Sequence, residues 1–159
     1  MPAAGQGQST GYADRFDYRV DILRRRNLVT ATLDGVVLAE SRRTLLVDEQ
    51  DHGLVFYFPR GDVRLALLAA LPGRTSHCPY KGDASYWGRA GAGDSPVAWS
   101  YETPFAEVAQ IAGHIAFYQD RVTVSLGTAP ARDSAIRVAP WRTRTMPSIG
   151  CRLMRPPAA

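Results

Sequence analysis

The segment Leu28-Val29-Thr30-Ala31-Thr32-Leu33-Asp34-Gly35-Val36-Val37-Leu38-Ala39 decides the fold class of this chain. Two runs of apolar and β-branched residues flank the Asp34-Gly35 pair. Asp-Gly between two β-prone runs is a strong hairpin signal, because both residues readily adopt the positive φ angles of a two-residue turn. The segment therefore predicts a β-hairpin.

Further strands are predicted on both sides of this hairpin. Apolar residues occupy every second position from Phe16 to Ile22, which is the period of a half-buried strand. The remaining strand predictions come from short apolar, β-branched or aromatic runs separated by polar turns. They are a hairpin of 44–47 with 54–58, a hairpin of 76–80 with 84–87 around Lys81-Gly82-Asp83, a strand over 97–101 after the small-residue loop 88–95, and a hairpin of 115–118 with 121–126 across Gln119-Asp120.

Two short helices complete the prediction. Asp62 can cap a helix whose apolar positions run from Val63 to Leu71 and which Pro72-Gly73 would end. Thr103, with Pro104 in the first helical position, opens a second helix through Gln110. The strand–helix alternation of a parallel sheet is missing, so the expected fold is mostly β, a single antiparallel domain with two short helices.

The bulk composition is that of one globular domain. The chain has 159 residues, with 45% hydrophobic and 21% charged residues, and no apolar run approaches the roughly 20 residues that span a bilayer. Residues 1–15 are small and polar, so we expect them to be disordered and not to act as a secretory signal. These observations predict a domain over residues 16–126, a cytoplasmic location and no membrane association.

Cysteine and histidine are too sparse for a metal or disulfide framework. The two cysteines are Cys78 and Cys151, and the three histidines, His52, His77 and His114, do not have the spacing of paired metal ligands. We expect free thiols, no metal and no cofactor.

Residues 127–159 form an arginine-rich extension. They contain six arginines and a single acidic residue, Asp133, which gives the segment a net charge of +5. A segment of this kind either remains a solvated, partly disordered tail or attracts nucleic acid or an acidic protein through its charge.

The motif Cys78-Pro79-Tyr80-Lys81-Gly82-Asp83-Ala84-Ser85-Tyr86-Trp87 contains the only lysine of the chain. Arginine serves every other basic position, which suggests that a compact ammonium, or an amine whose pKa can move, is wanted here. Tyr80, Tyr86 and Trp87 would supply the aromatic walls of a ligand pocket around it. The alternative is a solvated turn lysine beside ordinary core aromatics.

Cys78 is a second candidate for chemistry, as a thiolate nucleophile. Consecutive strand residues point to opposite faces, so His77 cannot easily activate its neighbour, and His114 is the better candidate partner. The alternative is that Cys78 is a small buried hydrophobic residue.

The other candidates are charged and aromatic residues of the flanking strands. Arg60, after Tyr57-Phe58-Pro59, could grip a carboxylate or phosphate. Glu40 and Glu49 could act as a general base or pair with Lys81 and Arg60. Tyr57, Trp99 and Tyr101 would form either a stacking wall or plain core.

Several of these runs occur together in one order: Asp34 to Ser41, Tyr57 to Asp62-Val63, the Lys81 motif, Ala98-Trp99-Ser100-Tyr101, and Ile115-Ala116-Phe117-Tyr118. In this order they resemble the domain-of-unknown-function 427 family over about residues 33–126. The resemblance implies a β-tent-type fold of antiparallel strands, without the paired cysteines that hold a metal in zinc-carrying relatives of this architecture.

The same family is sometimes labelled nucleotidyltransferase-like. Nucleotidyl transfer requires carboxylates that hold magnesium ions at the phosphates. Glu40, Asp48 and Glu49 could converge across neighbouring strands, but their spacing is unremarkable, and no Gly-Ser with a following Asp-x-Asp pair is present.

The sequence thus predicts recognition of a small anionic or polar organic molecule. Lys81 and Arg60 would bind its charge and the aromatic residues its apolar part, with Glu40 or Glu49 as base if conversion follows. The alternatives are a non-catalytic interaction module that uses the arginine tail, and thiol chemistry at Cys78.

Overall fold

The computed structural model describes residues 7–127 of the chain. Ten strands form two antiparallel sheets, so the mostly β, antiparallel prediction is confirmed. A seven-stranded sheet has the order β1-β4-β5-β9-β8-β7-β6, and a three-stranded sheet has the order β10-β2-β3. The strands are β1 Val20–Arg24, β2 Val29–Leu33, β3 Val36–Ser41, β4 Leu45–Glu49, β5 Gly53–Pro59, β6 Leu68–Cys78, β7 Gly82–Arg89, β8 Pro96–Tyr101, β9 His114–Phe117 and β10 Thr123–Leu126.

The Asp34-Gly35 hairpin is confirmed. β2 and β3 pair with Leu33 opposite Val36, and the two turn residues have φ angles of 49° and 77°. The hairpins β4–β5 and β6–β7 and the strand β8 are confirmed as well. Local turn chemistry and short β-prone runs were sufficient for these elements, because each hairpin partner follows within a few residues.

The helix predicted from Val63 to Leu71 is wrong. The chain forms two 3₁₀ turns, Arg60–Asp62 and Leu65–Leu67, and then enters strand β6. β6 is an edge strand, and its pairing with β7 is irregular between Ala70 and Thr75. An irregular edge tolerates Pro72-Gly73, because the missing N–H of proline is not needed there.

The second predicted helix is a 3₁₀ helix, Ala106–Ile111, rather than an α-helix. The last predicted hairpin is also wrong in its pairing. The turn at Gln119-Asp120 exists, since the amide of Arg121 donates to the carbonyl of Tyr118 at 3.1 Å. However, β9 joins the large sheet and β10 pairs with β2 of the small sheet, because Val122 and Val124 pack into the core between the sheets.

The start of the described chain also differs from expectation. Residues within 1–15 were expected to be disordered, but Gly11–Asp14 form a short α-helix, α1, and the amide of Gly11 donates to the carbonyl of Pro79 at 3.2 Å. Strand β1 begins at Val20 rather than at Phe16, whose side chain is 89% exposed. Within residues 7–127, no helix has the length and apolar character needed to cross a membrane.

The two faces of the large sheet have different partners. One face packs on the small sheet and forms a core that includes Phe58, Ile115, Phe117 and Ala98. The opposite face carries the alternating neighbours of these residues and is covered in part by the 3₁₀ helix Ala106–Ile111, which buries Val108 and Ile111. The 3₁₀ helix leaves the rest of this second face concave. We call this remaining surface the open face.

Candidate functional site

The open face contains a cavity of about 510 Å³, which we call the aromatic cavity. Its size is typical of a small-molecule site. Its walls come from β4, β5, the end of β6, β7, β8, the turns at either end of the sheet and the residue after β9. The lining residues are Val47, Glu49, His52, Val55, Tyr57, His77, Cys78, Pro79, Lys81, Tyr86, Trp99, Tyr101 and Tyr118.

Strand register aligns the aromatic wall. Tyr86 lies opposite Trp99, Trp99 lies opposite Ala116, and Ala116 lies opposite Tyr57. Opposite residues in adjacent strands point to the same face, so these side chains form one row across four strands. Trp99 Nε1 donates to Tyr57 Oη at 3.1 Å, and the Trp99 ring lies 4.7 Å from the ring of Tyr118.

Lys81 and Glu49 form a buried ion pair at the cavity wall. Lys81 Nζ donates to Glu49 Oε2, and the residues are only 7% and 8% exposed. The ammonium lies 5.8 Å from the centre of the Tyr101 ring. Lys81 is therefore neither solvated nor a free charge in the cavity, and Glu49 compensates it.

This ion pair joins the two ends of the large sheet. Glu49 ends β4, which neighbours the edge strand β1, and Lys81 lies in the turn between β6 and β7 at the other end. The sheet must curl around the open face for these side chains to meet. The curl converts what would be a flat sheet surface into a concave site.

An aromatic stack reinforces the same junction. The rings of Tyr18 and Tyr80 are parallel at 3.7 Å, and Tyr12 contacts Tyr80 edge-on at 5.2 Å. Tyr18 Oη donates to Glu49 Oε1 at 3.1 Å. Glu49 thus contacts Tyr18 through Oε1 and Lys81 through Oε2, and the Tyr18 hydroxyl also lies 3.0 Å from the carbonyl oxygen of Gln50.

The buried tyrosines around Glu49 retain their protons. Burial, with a further contribution from the nearby Glu49 carboxylate, raises the pKa of the Tyr18 hydroxyl. Burial is also the main cause that raises the pKa of Tyr57 and of Tyr101. These three hydroxyls therefore remain protonated and neutral at physiological pH.

The structure places seven of the candidate residues in the lining of the aromatic cavity and four outside it. Lys81, Glu49, Cys78, Tyr57, Tyr86, Trp99 and Tyr101 line the aromatic cavity. Tyr80 lies behind the ion pair in its stack with Tyr18 rather than in the lining. Glu40 is exposed on the small sheet opposite Thr30 and lies outside the aromatic cavity.

Arg60 and Trp87 also lie away from the aromatic cavity. The Arg60 guanidinium lies 5.4 Å from the centre of the Trp87 ring and forms an ion pair with Glu102. Trp87 Nε1 donates to Ser100 Oγ at 3.0 Å. Trp87 is the strand neighbour of Tyr86 and therefore points to the opposite side of the sheet.

His114 is not the partner of Cys78. It lines a different hollow, and its Nδ1 donates to the carbonyl of Ala112 at 3.0 Å. His77 lines the aromatic cavity with Cys78, but its Nδ1 lies 2.7 Å from Asp83 Oδ1. Neither histidine is hydrogen bonded to the thiol, so the geometry gives no support to a thiolate activated by histidine.

Sequence reasoning missed several residues of the site. Tyr18 contacts Glu49, and His52, Val55 and Tyr118 line the cavity. The alternation of Tyr18, Val20 and Ile22 did place Tyr18 on a strand-like face, but it did not identify the strand that this face would meet.

The arginine-rich tail and Cys151 lie outside the described residues. Among residues 7–127, no group of three or more His, Cys, Asp or Glu side chains is arranged to hold a metal ion.

A family model described as a domain of unknown function (DUF427) matches residues 21–127, which include nine of the ten strands in full and all but the first residue of β1. No curated protein matches the chain.

Proposed function

The chain belongs to the domain-of-unknown-function 427 family, and we propose that it binds a small polar organic molecule in the aromatic cavity. The family description carries no activity, so the proposal is based on the site itself. The observation that carries it is the buried Lys81–Glu49 pair in the wall of an aromatic cavity of about 510 Å³.

The small net contribution that a buried ion pair makes to folding stability favours a role of Lys81 and Glu49 in ligand recognition. Removing two charges from water costs several kcal/mol per ion, and well-packed apolar residues often stabilise a protein as well as a buried ion pair does. Lys81 and Glu49 are both less than 10% exposed. A pair that adds little net stability is well suited to orient a ligand.

Lys81 supplies the polar anchor. A lysine ammonium has three N–H donors, and one of them is directed to Glu49. The others can donate to an acceptor group of the ligand, such as a carboxylate or carbonyl oxygen. Because Glu49 already balances the charge, a neutral acceptor group is suitable as well as an anionic one.

The aromatic wall supplies the rest of the binding surface. Tyr57, Tyr86, Trp99 and Tyr118 present planar rings to the cavity. Rings of this kind bury the apolar part of a planar ligand by stacked or edge-on contacts. We therefore propose a ligand with a planar apolar body and one acceptor group.

Glu49 is not assigned as a base. Both of its oxygens accept hydrogen bonds, from Lys81 and from Tyr18. Proton abstraction by Glu49 would require a ligand to displace one of these partners. Binding is the function that the resting geometry supports.

Ligand-induced thermal stabilisation tests the proposal with three matched probes. 2-Naphthoate, 2-naphthamide and 2-naphthylmethylamine share one ring system and differ in the polar group. The acid and the amide should raise the melting temperature, whereas the cationic amine should not, because it would face the Lys81 ammonium. If all three probes behave alike, or none stabilises the protein, the proposal is wrong.

A charge-neutral double variant identifies the anchor. Lys81→Met/Glu49→Gln removes both charges together and should weaken binding of 2-naphthoate by about tenfold or more. Arg60→Gln/Glu102→Gln removes the ion pair outside the cavity and should leave the affinity unchanged. Equal losses in the two variants would show that Lys81 does not hold the ligand.

A further inference from the structure

A second hollow of about 520 Å³ lies on the open face, and we call it the arginine cleft. Five arginines line it together with a small apolar floor. The lining residues are Arg24, Arg25, Arg26, Arg42, Arg43, Leu45, Pro59, Gln110 and His114.

The arginine cleft neighbours the aromatic cavity along the same two strands. Leu45 and Pro59 line the cleft, whereas Val47 and Tyr57, two positions further along β4 and β5, line the aromatic cavity. The cleft is nonetheless a separate site, because no residue lines both hollows.

Two connections between the sheets bring the arginines together. Residues 24–26 leave β1 for β2, and residues 42–43 lead from β3 into β4. The amide of Arg25 donates to the carbonyl of Thr44 at 2.9 Å, which ties one connection to the other. The cluster is therefore set by the pairing of β1 with β4.

Most of the positive charge in the cleft is uncompensated. Arg43 Nη2 lies 2.8 Å from Asp62 Oδ1. Across residues 7–127, the other four arginines have no carboxylate within 4.0 Å. The remaining residues of the sequence contain one acidic side chain, Asp133, among their own arginines, so they offer little counter-charge.

A cluster of this kind is a strong anion site. Guanidinium groups are always charged, and their planar N–H forks match the oxygens of phosphate and carboxylate groups. Five neighbouring cations repel one another, and a bound polyanion relieves this repulsion. The exposed side chains also provide enough donors for several oxygens at once.

We propose that the arginine cleft binds a compact organic ligand that carries several phosphate groups. The volume is that of a small-molecule site and fits a ligand of nucleotide size. Leu45 and Pro59 provide an apolar surface for its organic part. The charge is gathered in one hollow, whereas a nucleic-acid strand would need it spread along an extended path.

Calorimetric titration of the full chain with sodium tripolyphosphate tests the site. Arg25→Gln/Arg42→Gln should weaken binding by about tenfold or more, because it removes one charge-assisted contact from each connection. Two controls with the same loss of charge, Arg64→Gln/Arg74→Gln and Arg142→Gln/Arg144→Gln, should retain the affinity. The first control lies outside the cleft and the second is in the arginine tail.

Three outcomes would overturn the proposal. Equal losses in all three variants would mean that tripolyphosphate responds only to net charge. Equally tight binding of citrate would contradict the preference for phosphate. Cleft-dependent binding of a single-stranded oligonucleotide without binding of tripolyphosphate would replace the compact ligand with nucleic acid. The Lys81→Met/Glu49→Gln variant should bind tripolyphosphate normally, so the two proposed sites can fail independently.

Discussion

The two faces of the large sheet are built from the same strands but have opposite chemistry. On β5, Phe58 faces the small sheet and Tyr57 faces the aromatic cavity. On β9, Phe117 joins the core between the sheets, and Tyr118, the residue that follows the strand, lines the cavity. In both pairs, the residue with a hydroxyl lies on the open face, and its neighbour without one lies in the core between the sheets.

The difference follows from the hydrogen-bond partners that each face offers to a polar side chain. In the core between the sheets, Phe58 packs edge to face against Phe117 at 5.5 Å, among buried apolar side chains. The open face provides Trp99 Nε1 for Tyr57, and Glu49 for Tyr18. A polar group is retained where partners exist, because an unsatisfied buried hydroxyl costs free energy.

The largest expected effect is at the ion pair of the open face. Lys81→Met should destabilise the protein by about 3–5 kcal/mol, because it leaves the buried Glu49 carboxylate without its cation. Urea denaturation of the single and double variants measures this. Lys81→Met/Glu49→Gln should recover most of the loss. A double variant as unstable as the single one would mean that packing, and not charge, accounts for the effect.

Adding a hydroxyl on one face of the large sheet and removing one on the other tests the difference between the two faces directly. Phe58→Tyr places a hydroxyl in the dry core and should cost about 1–3 kcal/mol of unfolding free energy. Tyr57→Phe removes the acceptor of Trp99 Nε1 and should cost less, about 1 kcal/mol. The reverse order of these losses, measured under the same denaturation conditions, would contradict the assignment of a dry face and a polar face.

The smallest expected effect concerns the seam where the chain passes from the small sheet to the large one. The hydroxyl of Ser41, 2.6 Å from Asp62 Oδ2, and the guanidinium of Arg43 lower the pKa of Asp62 below its ordinary value of 3.8. A lowered folded-state pKa means that this stabilisation is present above the unfolded-state pKa. It is lost as the pH falls through the folded-state pKa.

Asp62→Asn should therefore cost about 1 kcal/mol at neutral pH and remove part of the stability loss seen below about pH 4. Asp94→Asn changes an exposed carboxylate and is the matched control. Thermal unfolding at a series of pH values measures both variants. Identical pH profiles for Asp62→Asn and the unmodified chain would show that ionisation of Asp62 does not contribute to the pH dependence of stability.

Much of the fold was accessible from local sequence patterns. The Asp34-Gly35 turn predicted one hairpin, and short apolar, β-branched or aromatic runs between polar turns predicted β4, β5, β7 and β8, because hairpin pairing is decided within a few residues. The segment from Val63 to Leu71 was assigned wrongly because its leucine spacing also fits a helix. Pairing with β7 overrides that local preference.

The candidate site was predicted in part. The aromatic hairpin and the separate strand of Trp99 were expected to line one pocket that contains Lys81 and Tyr86, and Glu49 was considered as a partner of Lys81. Arg60 and Trp87 were expected in the same pocket but lie outside the aromatic cavity, because the face to which each strand residue points depends on register and sheet curvature. The arginine cleft was not foreseen, since its members come from two connections distant in sequence.

The amino-acid sequence by itself determined that the chain forms antiparallel strands, where its tightest turn lies and which aromatic motif surrounds its single lysine. Only the tertiary structure decided that β9 and β10 enter different sheets, that Lys81 meets Glu49 and that five arginines share one hollow. The physical reason is the distance along the sequence over which each effect acts. Backbone propensity and turn geometry act between neighbouring residues, whereas sheet order and curl depend on burying both faces of the large sheet at once.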